Sequence, residues 1–396
     1  MEFESEPKTI TVFMNGNIDK KVEISFFRTL SVADIISNCR EKLFLDRHKK
    51  CKIFDSKGEE LSDDDLEYFN SAEPLFVSQG EKFSKNSTMA IFKEIKKLGQ
   101  GGFGTVYLYK NKVNGKEVAI KFVDLRRIMS PEDVNRLFSE VSILRGLHHK
   151  NIVDLIDVFE VENKSCFVME YCSGGELKKY IQENFPLSEK DIYRIAIQIV
   201  EAIRYCHNSA IVHRDLKLEN ILFTKPSHKV VKIVDFGISG MYSLGNTLSG
   251  ERSDAGSLHY VAPEILTRSD NRANPALDIW SLGCIFYAML TNTLPFVGTR
   301  KEVVSKIVDC DYSPLPYTVN RPWHKLIKGM LRRKPETRWN ILKVAEHLVK
   351  FKDLGNADCS EDSIEARVKI TAARSNGYIK VNSNDRRRRT PENRNL

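Results

Sequence analysis

Apolar positions in residues 1–80 change period twice, and each change marks an element. Ile10, Val12 and Met14 alternate with polar neighbours, Asn15-Gly16 supplies a hairpin turn, and Val22, Ile24 and Phe26 resume the alternation, the pattern of two paired strands covered on one face. Ser31 and Asp34 have capping-box spacing, and Val32, Ile35, Ile36, Cys39 and Leu43 then recur at the helical period. Lys52-Ile53-Phe54 is a short strand, residues 56–58 a turn, residues 62–69 a helical turn, and Leu75-Phe76-Val77 a last strand. The order β-β-α-β-turn-β predicts a β-grasp domain over residues 8–80, after a disordered stretch at 1–7. Residues 81–90 are polar and without period, which reads as a linker.

A second patterned region runs from 91 to 351. Gly99-Gln100-Gly101-Gly102-Phe103-Gly104 fits G-x-G-x-x-G, a spacing shared by dinucleotide and ATP sites. A dinucleotide site would open a helix after the last glycine, whereas here Val106 and Leu108 alternate like a strand and Asn114-Gly115 turns the chain back. The glycines therefore join two strands, where a bare backbone lets N–H groups approach phosphate oxygens. The returning strand ends in Val118-Ala119-Ile120-Lys121, one Lys on an otherwise apolar strand, and a buried Lys needs a partner. Ser130-Pro131-Glu132-Asp133 starts a helix with an apolar stripe at Val134, Leu137, Phe138, Val141 and Leu144, and Glu140 beside that stripe is the natural counterion. Beyond residue 351 Gly, Asn, Asp, Ser and Arg accumulate up to Arg386–Arg389, a flexible tail over 352–396.

Composition narrows the class. At 396 residues and about 150 per domain, two to three domains are expected. No apolar run reaches the roughly 18 residues of a membrane span, and the acidic start does not resemble a signal peptide. Eight cysteines are scattered without a C-x-x-C pair, so reduced thiols and no zinc site are expected. These features predict a cytoplasmic chain, with nuclear or cytoskeletal association as alternatives. The net charge of +8 is uneven: residues 1–85 hold 13 Lys and Arg against 17 Asp and Glu, while residues 352–396 hold 10 against 7. Most of the excess lies in the middle region, which points away from nucleic acid and toward smaller anions.

His213-Arg214-Asp215-Leu216-Lys217-Leu218-Glu219-Asn220, Asp235-Phe236-Gly237 and Ala262-Pro263-Glu264 follow in order. With the glycine loop and Lys121 they resemble the eukaryotic protein kinases over residues 91–351. The resemblance implies an α+β bilobal kinase fold, with a small β-rich lobe and a larger helical lobe, preceded by the β-grasp domain. It implies ATP and Mg2+, with Asp215 orienting the substrate hydroxyl, Lys217 steadying the γ-phosphate, and Asn220 and Asp235 holding metal. Nucleotide contacts are implied for Leu98, Gly99, Gln100, Gly101, Gly102, Phe103, Gly104, Thr105, Val106, Ala119, Lys121, Glu140, Glu170, Cys172, Glu176 and Leu222, with Met169 at the gatekeeper position. Lys217 is the residue type of serine/threonine kinases at that place. Asp278 is expected to brace the catalytic loop, Arg338 to pair with Glu264, and Phe236, His213, Leu144 and Leu155 to form an apolar column between the lobes.

The activation segment near Ser253 and Ser257 resembles the calcium/calmodulin-dependent and AMP-activated kinase groups, although the latter usually carry Thr at the place of Ser253. Arg214 beside the catalytic Asp implies activation by a phosphate, expected on Ser253, with Thr247 and Ser249 as competing sites and an upstream kinase as partner. Glu176 and Glu219 match acids that meet Arg upstream of the target hydroxyl, Glu176 alternatively serving the ATP ribose. The first 80 residues resemble ubiquitin-like and doublecortin-type domains through Gly58-Glu59-Glu60-Leu61 and Leu75-Phe76-Val77-Ser78. Their acidic balance favours a protein-binding module over a microtubule binder. The readings that compete with an active kinase are a pseudokinase scaffold and a microtubule-associated kinase. For the Arg cluster and Thr390-Pro391 the options are a nuclear signal, a phosphosite or a solvated charge run.

Overall fold

The computed structural model describes residues 7–27, 30–69, 71, 73–101, 104–124, 145–161, 164–235, 257–267 and 274–350. The expected disordered start, the helix carrying Glu140 and Leu144, the Phe236-Gly237 pair, Ser253 and the tail lie outside these residues. The chain divides into two compact units, one formed by residues 1–138 and 154–171, the other by 139–153 and 172–396.

The first unit holds two sheets. Strands β1 (Lys8–Met14), β2 (Asn17–Phe26), β3 (Lys52–Phe54) and β4 (Leu75–Ser78) are ordered β2-β1-β4-β3, with β1 and β4 parallel at the centre. Helix α1 (Val32–Leu43) starts at the expected capping box, in which Ser31 Oγ accepts the Asp34 N–H and the Asp34 carboxylate accepts the Ser31 N–H. Its buried side chains Ile35, Cys39 and Leu43 pack on the sheet face formed by Ile10, Val12, Val22, Ile24, Ile53, Leu75 and Val77. This is the β-grasp arrangement, with a short α2 (Asp63–Glu67) between β3 and β4.

The opposite sheet face is also covered. Phe13 pairs across to Phe76, and Phe76 to Phe54, so three rings form one cross-strand row. Phe76 is wholly buried, and every residue of β4 is buried, as befits a central strand covered on both faces. The cover is the segment read from sequence as a linker. Phe83 lies edge-on to Phe76, with centroids 5.4 Å apart, and 5.6 Å from Phe54. Residues 85–90 form helix α3 (Lys85–Ala90), so the polar linker expected over 81–90 is corrected to a folded strap. Its few anchors, Phe83, Thr88 and Met89, are too sparse to produce a period in the sequence.

The second sheet, in the order β5-β6-β7-β9-β8, is antiparallel throughout: β5 (Phe92–Gly101), β6 (Gly104–Asn111), β7 (Glu117–Asp124), β8 (Leu155–Val161) and β9 (Lys164–Glu170). One face is filled by Tyr109, Val118, Ile120, Phe159, Cys166 and Val168, with Phe92 stacked on Phe159.

The second unit is mainly helical, with a small β10 (Ile221–Phe223) and β11 (Val231–Ile233) ladder. Helix α4 (Leu177–Asn184) is followed by α5 (Glu189–Asn208), capped by the Ser188 hydroxyl. Helix α6 (Pro263–Leu266) opens on the proline of Ala-Pro-Glu. Helix α7 (Ala276–Thr291) is buried at every residue from 277 to 290, so it is the axis around which α8 (Arg300–Asp309), α9 (Arg321–Met330) and α10 (Ile341–Val349) are arranged. Among the described residues no helix is long and apolar enough to cross a membrane.

The expected Glu264–Arg338 pair forms with both ends buried: Nη1 and Nη2 donate to the two carboxylate oxygens at 2.8 and 2.9 Å. Arg338 also donates to the carbonyls of Ala276 and Arg332 and lies over the Trp280 ring. Removing one partner would strand a charge in an apolar interior. Arg338→Ala is therefore expected to cost about 3–5 kcal/mol of stability, and Arg338→Lys to recover only part of it because an ammonium cannot make the bidentate fork. Denaturant unfolding of the three proteins checks both.

Candidate active site

In the first unit, strand register decides which candidate residues share a face. Val106 pairs with Lys121 and Leu108 with Ala119, while Ala119 pairs with Met169 and Lys121 with Phe167. Directly opposed residues point the same way, so Val106, Ala119, Lys121 and Met169 line the face opposite the aromatic cluster. Lys121 is only 5% exposed there. Leu98, Gly99, Gln100 and Gly101 close β5, and Gly104, Thr105 and Val106 open β6. Gly102 and Phe103 lie outside the described residues.

The glycines are not equivalent. A Cβ on Gly104 would meet the Phe122 carbonyl oxygen at 2.0 Å, so glycine is required there by the packing of β6 on β7. A Cβ on Gly99 would meet nothing within 4 Å, so the chain's own packing does not call for glycine at that end of the loop. Glu170 closes β9, where its carboxylate accepts the Asp154 N–H at 2.9 Å.

In the second unit the candidates gather on two tethered loops. His213 Nδ1 accepts the Asp215 N–H at 3.3 Å and Nε2 donates to the Val234 carbonyl at 3.0 Å, which fixes the ring tautomer. The Val234 N–H in turn donates to the Asn220 carbonyl at 2.9 Å, which sets Asp235 beside the Asn220 turn. Lys217 Nζ lies 2.8 Å from Asp215 Oδ2. The Asn220 amide donates to the Asp215 carbonyl and, at 3.2 Å, to the same carboxylate oxygen. That spends the amide nitrogen of Asn220 on Asp215. Asp215 Oδ1 takes no hydrogen bond from the described residues. Arg214 and Asp235 both have left-handed backbone, with φ of 69° and 61°, conformations that side-chain-bearing residues hold only under constraint.

For Arg214 that constraint is Asp278, fully buried in the first turn of α7. Its carboxylate accepts the backbone N–H groups of His213 and Arg214, each at 2.9 Å, and bonds His207 Nε2 at 2.8 Å. Burial alone pushes this carboxyl up, but the interaction with His207, followed by the backbone N–H of His213, outweighs it and holds the group below its ordinary value. His207, inside α5, gave no sequence signal because its partner is 71 residues away.

Cys172, Glu176 and Leu222 sit where the segment after Tyr171 runs beside β10, with the Gly174 N–H on the Phe223 carbonyl and the Phe223 N–H on the Gly175 carbonyl. A Cβ on Gly174 would meet the Lys225 carbonyl oxygen at 2.3 Å. Burial raises the Glu176 carboxyl and the nearby Glu219 charge raises it further. Glu219 bonds Lys178 at 2.8 Å through one oxygen, while its other oxygen is buried without a hydrogen-bond partner. Lys178 was not singled out from sequence. Glu140, Ser253, Leu144 and Phe236 lie outside the described residues, and the side chain of Ser257 is not described.

The protein kinase domain family matches residues 92–349, and the chain belongs to that family. Among solved structures it is similar to the crystal structure of Rad53 1–466 in complex with AMP-PNP, at 28% identity and a TM-score of 0.56, over 69% of this chain and 70% of that one.

The buried carboxylate makes a pH-dependent prediction. Because the folded-state value of Asp278 is depressed below an unfolded value of about 3.9, its stabilising contribution is complete above that value and fades as pH falls through the folded one. Asp278→Asn is expected to lose about 2–4 kcal/mol near neutral pH. The difference from wild type in urea midpoint should narrow as the pH is taken from 7 toward 3.

Proposed function

We propose that the chain is an ATP-dependent protein serine/threonine kinase that transfers the γ-phosphate of Mg-ATP to Ser and Thr hydroxyls. The observation that carries this reading is the Asp215, Lys217 and Asn220 cluster tied to the Val234-Asp235 segment. A carboxylate with an uncommitted oxygen, a cation 2.8 Å away, and a carboxamide and second carboxylate on adjoining turns are what in-line phosphoryl transfer asks of a protein.

In this mechanism Asp215 Oδ1 orients the substrate hydroxyl and receives its proton. The hydroxyl oxygen forms a bond to the γ-phosphorus as the bond to the β,γ-bridging oxygen breaks, and ADP leaves with that electron pair. Lys217 balances charge on the phosphoryl in flight. The donor set of Asn220 and Asp235, a carboxamide oxygen and a carboxylate, suits magnesium, which when bound would neutralise charge on the phosphates. In the strand unit, Gly99 to Gly104 would lie over the phosphates, Lys121 would hold two of them with Glu140 as its counterion, and Val106 and Ala119 would meet the base. In the helical unit Leu222, Glu176 and the backbone near Cys172 would complete the nucleotide contacts. AMP-PNP, an ATP analogue, in the similar Rad53 structure supports the choice of nucleotide.

Regulation by phosphate is supported by Arg214, whose Nε is buried without a hydrogen-bond partner. An anion on Ser253 would supply one. The likeness of that segment to the calcium/calmodulin-dependent and AMP-activated groups supports the same reading. A preference for Arg upstream of the target rests on Glu176 and Glu219, and Lys178 already occupies one oxygen of the latter.

Three measurements check this reading. Asp215→Ala and Asp235→Asn should each lower γ-phosphate transfer to a Ser peptide by about a thousandfold or more, and undiminished transfer by either would refute the assignment. Ser253→Ala should keep its basal rate but lose activation by an upstream kinase. In peptide series, Lys178→Ala should sharpen the preference for Arg over Ala upstream of the target by about three- to tenfold, and Glu219→Gln should weaken it by a similar factor.

A further inference from the structure

The β-grasp domain has a face built for a partner, and that face is occupied. Three phenylalanines in one cross-strand row, each burying roughly 150–200 Å² when covered, would form an apolar patch large enough to mark an interaction site if exposed. Here Phe83 and Ile91 close over the row, and Phe92 and Val113 pack at its margin. Polar fastenings surround it. Asn15 is buried, and its side chain reads the strap in both directions, donating to the Lys82 carbonyl and accepting the Ser84 N–H, both at 2.9 Å. The buried Thr88 hydroxyl donates to the Ser56 carbonyl at 2.7 Å, and Ser78 Oγ to the Glu81 carbonyl at 2.7 Å. Gly58, at φ +88°, is glycine for the same reason: a Cβ there would lie 2.4 Å from the Phe83 ring.

What the face grips gives the contact a consequence. Ile91 and Phe92 stand at the start of β5, and Val113 just after the end of β6. The Lys112 N–H donates to the Ile91 carbonyl at 2.8 Å. These residues are the open base of the β5–β6 hairpin, and the tip of that hairpin is the glycine loop. At about 3.3 Å per residue, the ten residues of β5 place base and tip roughly 30 Å apart along one strand. Met89 and Phe92 additionally reach the aromatic face of the five-stranded sheet.

We propose that the β-grasp domain is a fixed brace of this hairpin rather than a tethered recruitment module, and that docking of its Phe13-Phe76-Phe54 row sets the stiffness and hence the nucleotide affinity of the glycine loop. The domain's ligand on this face is thus its own kinase. The nucleotide half rests on the ATP-binding reading above, while the mechanical half stands on packing alone.

The test uses the full chain and two readouts. In Phe83→Ser, amide hydrogen exchange measured without nucleotide should speed up at least tenfold across residues 81–111. Its KM for ATP should rise at least threefold, with kcat within twofold of wild type. Phe27→Ser, at an exposed aromatic of the same domain, should change neither. Because Phe83→Ser alters a buried cluster, Thr88→Val is measured beside it, keeping volume while deleting the bond to Ser56, and should move exchange the same way by about threefold. Exchange across 81–111 within twofold of wild type in both strap variants would overturn the brace. Faster exchange with an unchanged KM would overturn its link to nucleotide affinity. A wild-type chain that binds no ATP would instead strike the earlier reading, leaving the exchange result to decide the brace.

Discussion

The loop that carries the proposed catalytic residues depends on one buried carboxylate. Asp278 has no contact with solvent, and an ion in that position persists only where donors replace the water it has lost. It receives three: two consecutive backbone N–H groups and an imidazole. The two N–H groups come from His213 and Arg214, and capturing both holds Arg214 in a left-handed conformation it would otherwise avoid. That bend turns the chain so that Lys217 and Asn220 converge on one carboxylate oxygen of Asp215, at 2.8 and 3.2 Å. The start of α7 is held a second time by Arg338, which binds Glu264 and the carbonyl of Ala276, two residues before Asp278. Two buried carboxylates, each held by buried donors, therefore anchor one helix end, and neither can be truncated without stranding its partners.

The strand unit solves a different problem. Its five-stranded sheet presents one face with Val106, Ala119, Lys121 and Met169 and fills the other with aromatic and β-branched side chains. Ordering a glycine-rich hairpin at the edge of such a sheet is costly, since glycine gives up the most backbone freedom. Packing a second domain against the hairpin's base limits that freedom without touching the tip.

Much of this was legible in the chain itself. The alternation at Ile10 to Met14 and Val22 to Phe26, the Ser31 cap, and the stripe through Ile35, Cys39 and Leu43 encode local structure through local sterics, and they appear where expected. The candidate catalytic residues stood out because they sit within eight residues, 213–220. The strap was not, because its fastenings are long-range: Phe83 is explained only by Phe54 and Phe76, and Asn15 only by residues 67 and 69 positions away. One clue was on the page. Leu75-Phe76-Val77 is a continuous apolar run rather than an alternation, the mark of a strand buried on both faces. Lys178 and His207 were silent for the same reason, each being ordinary on its own helix and informative only beside Glu219 and Asp278.

The proposed phosphorylation of hydroxyls at the Asp278-anchored loop is read most directly by phosphoamino-acid analysis. The full chain is incubated with γ-labelled Mg-ATP and a basic protein substrate, and the product is hydrolysed to its amino acids. The account predicts label in phosphoserine and phosphothreonine above an enzyme-free control and none in phosphotyrosine. Label confined to phosphotyrosine, or no label above the control after activation, would contradict it.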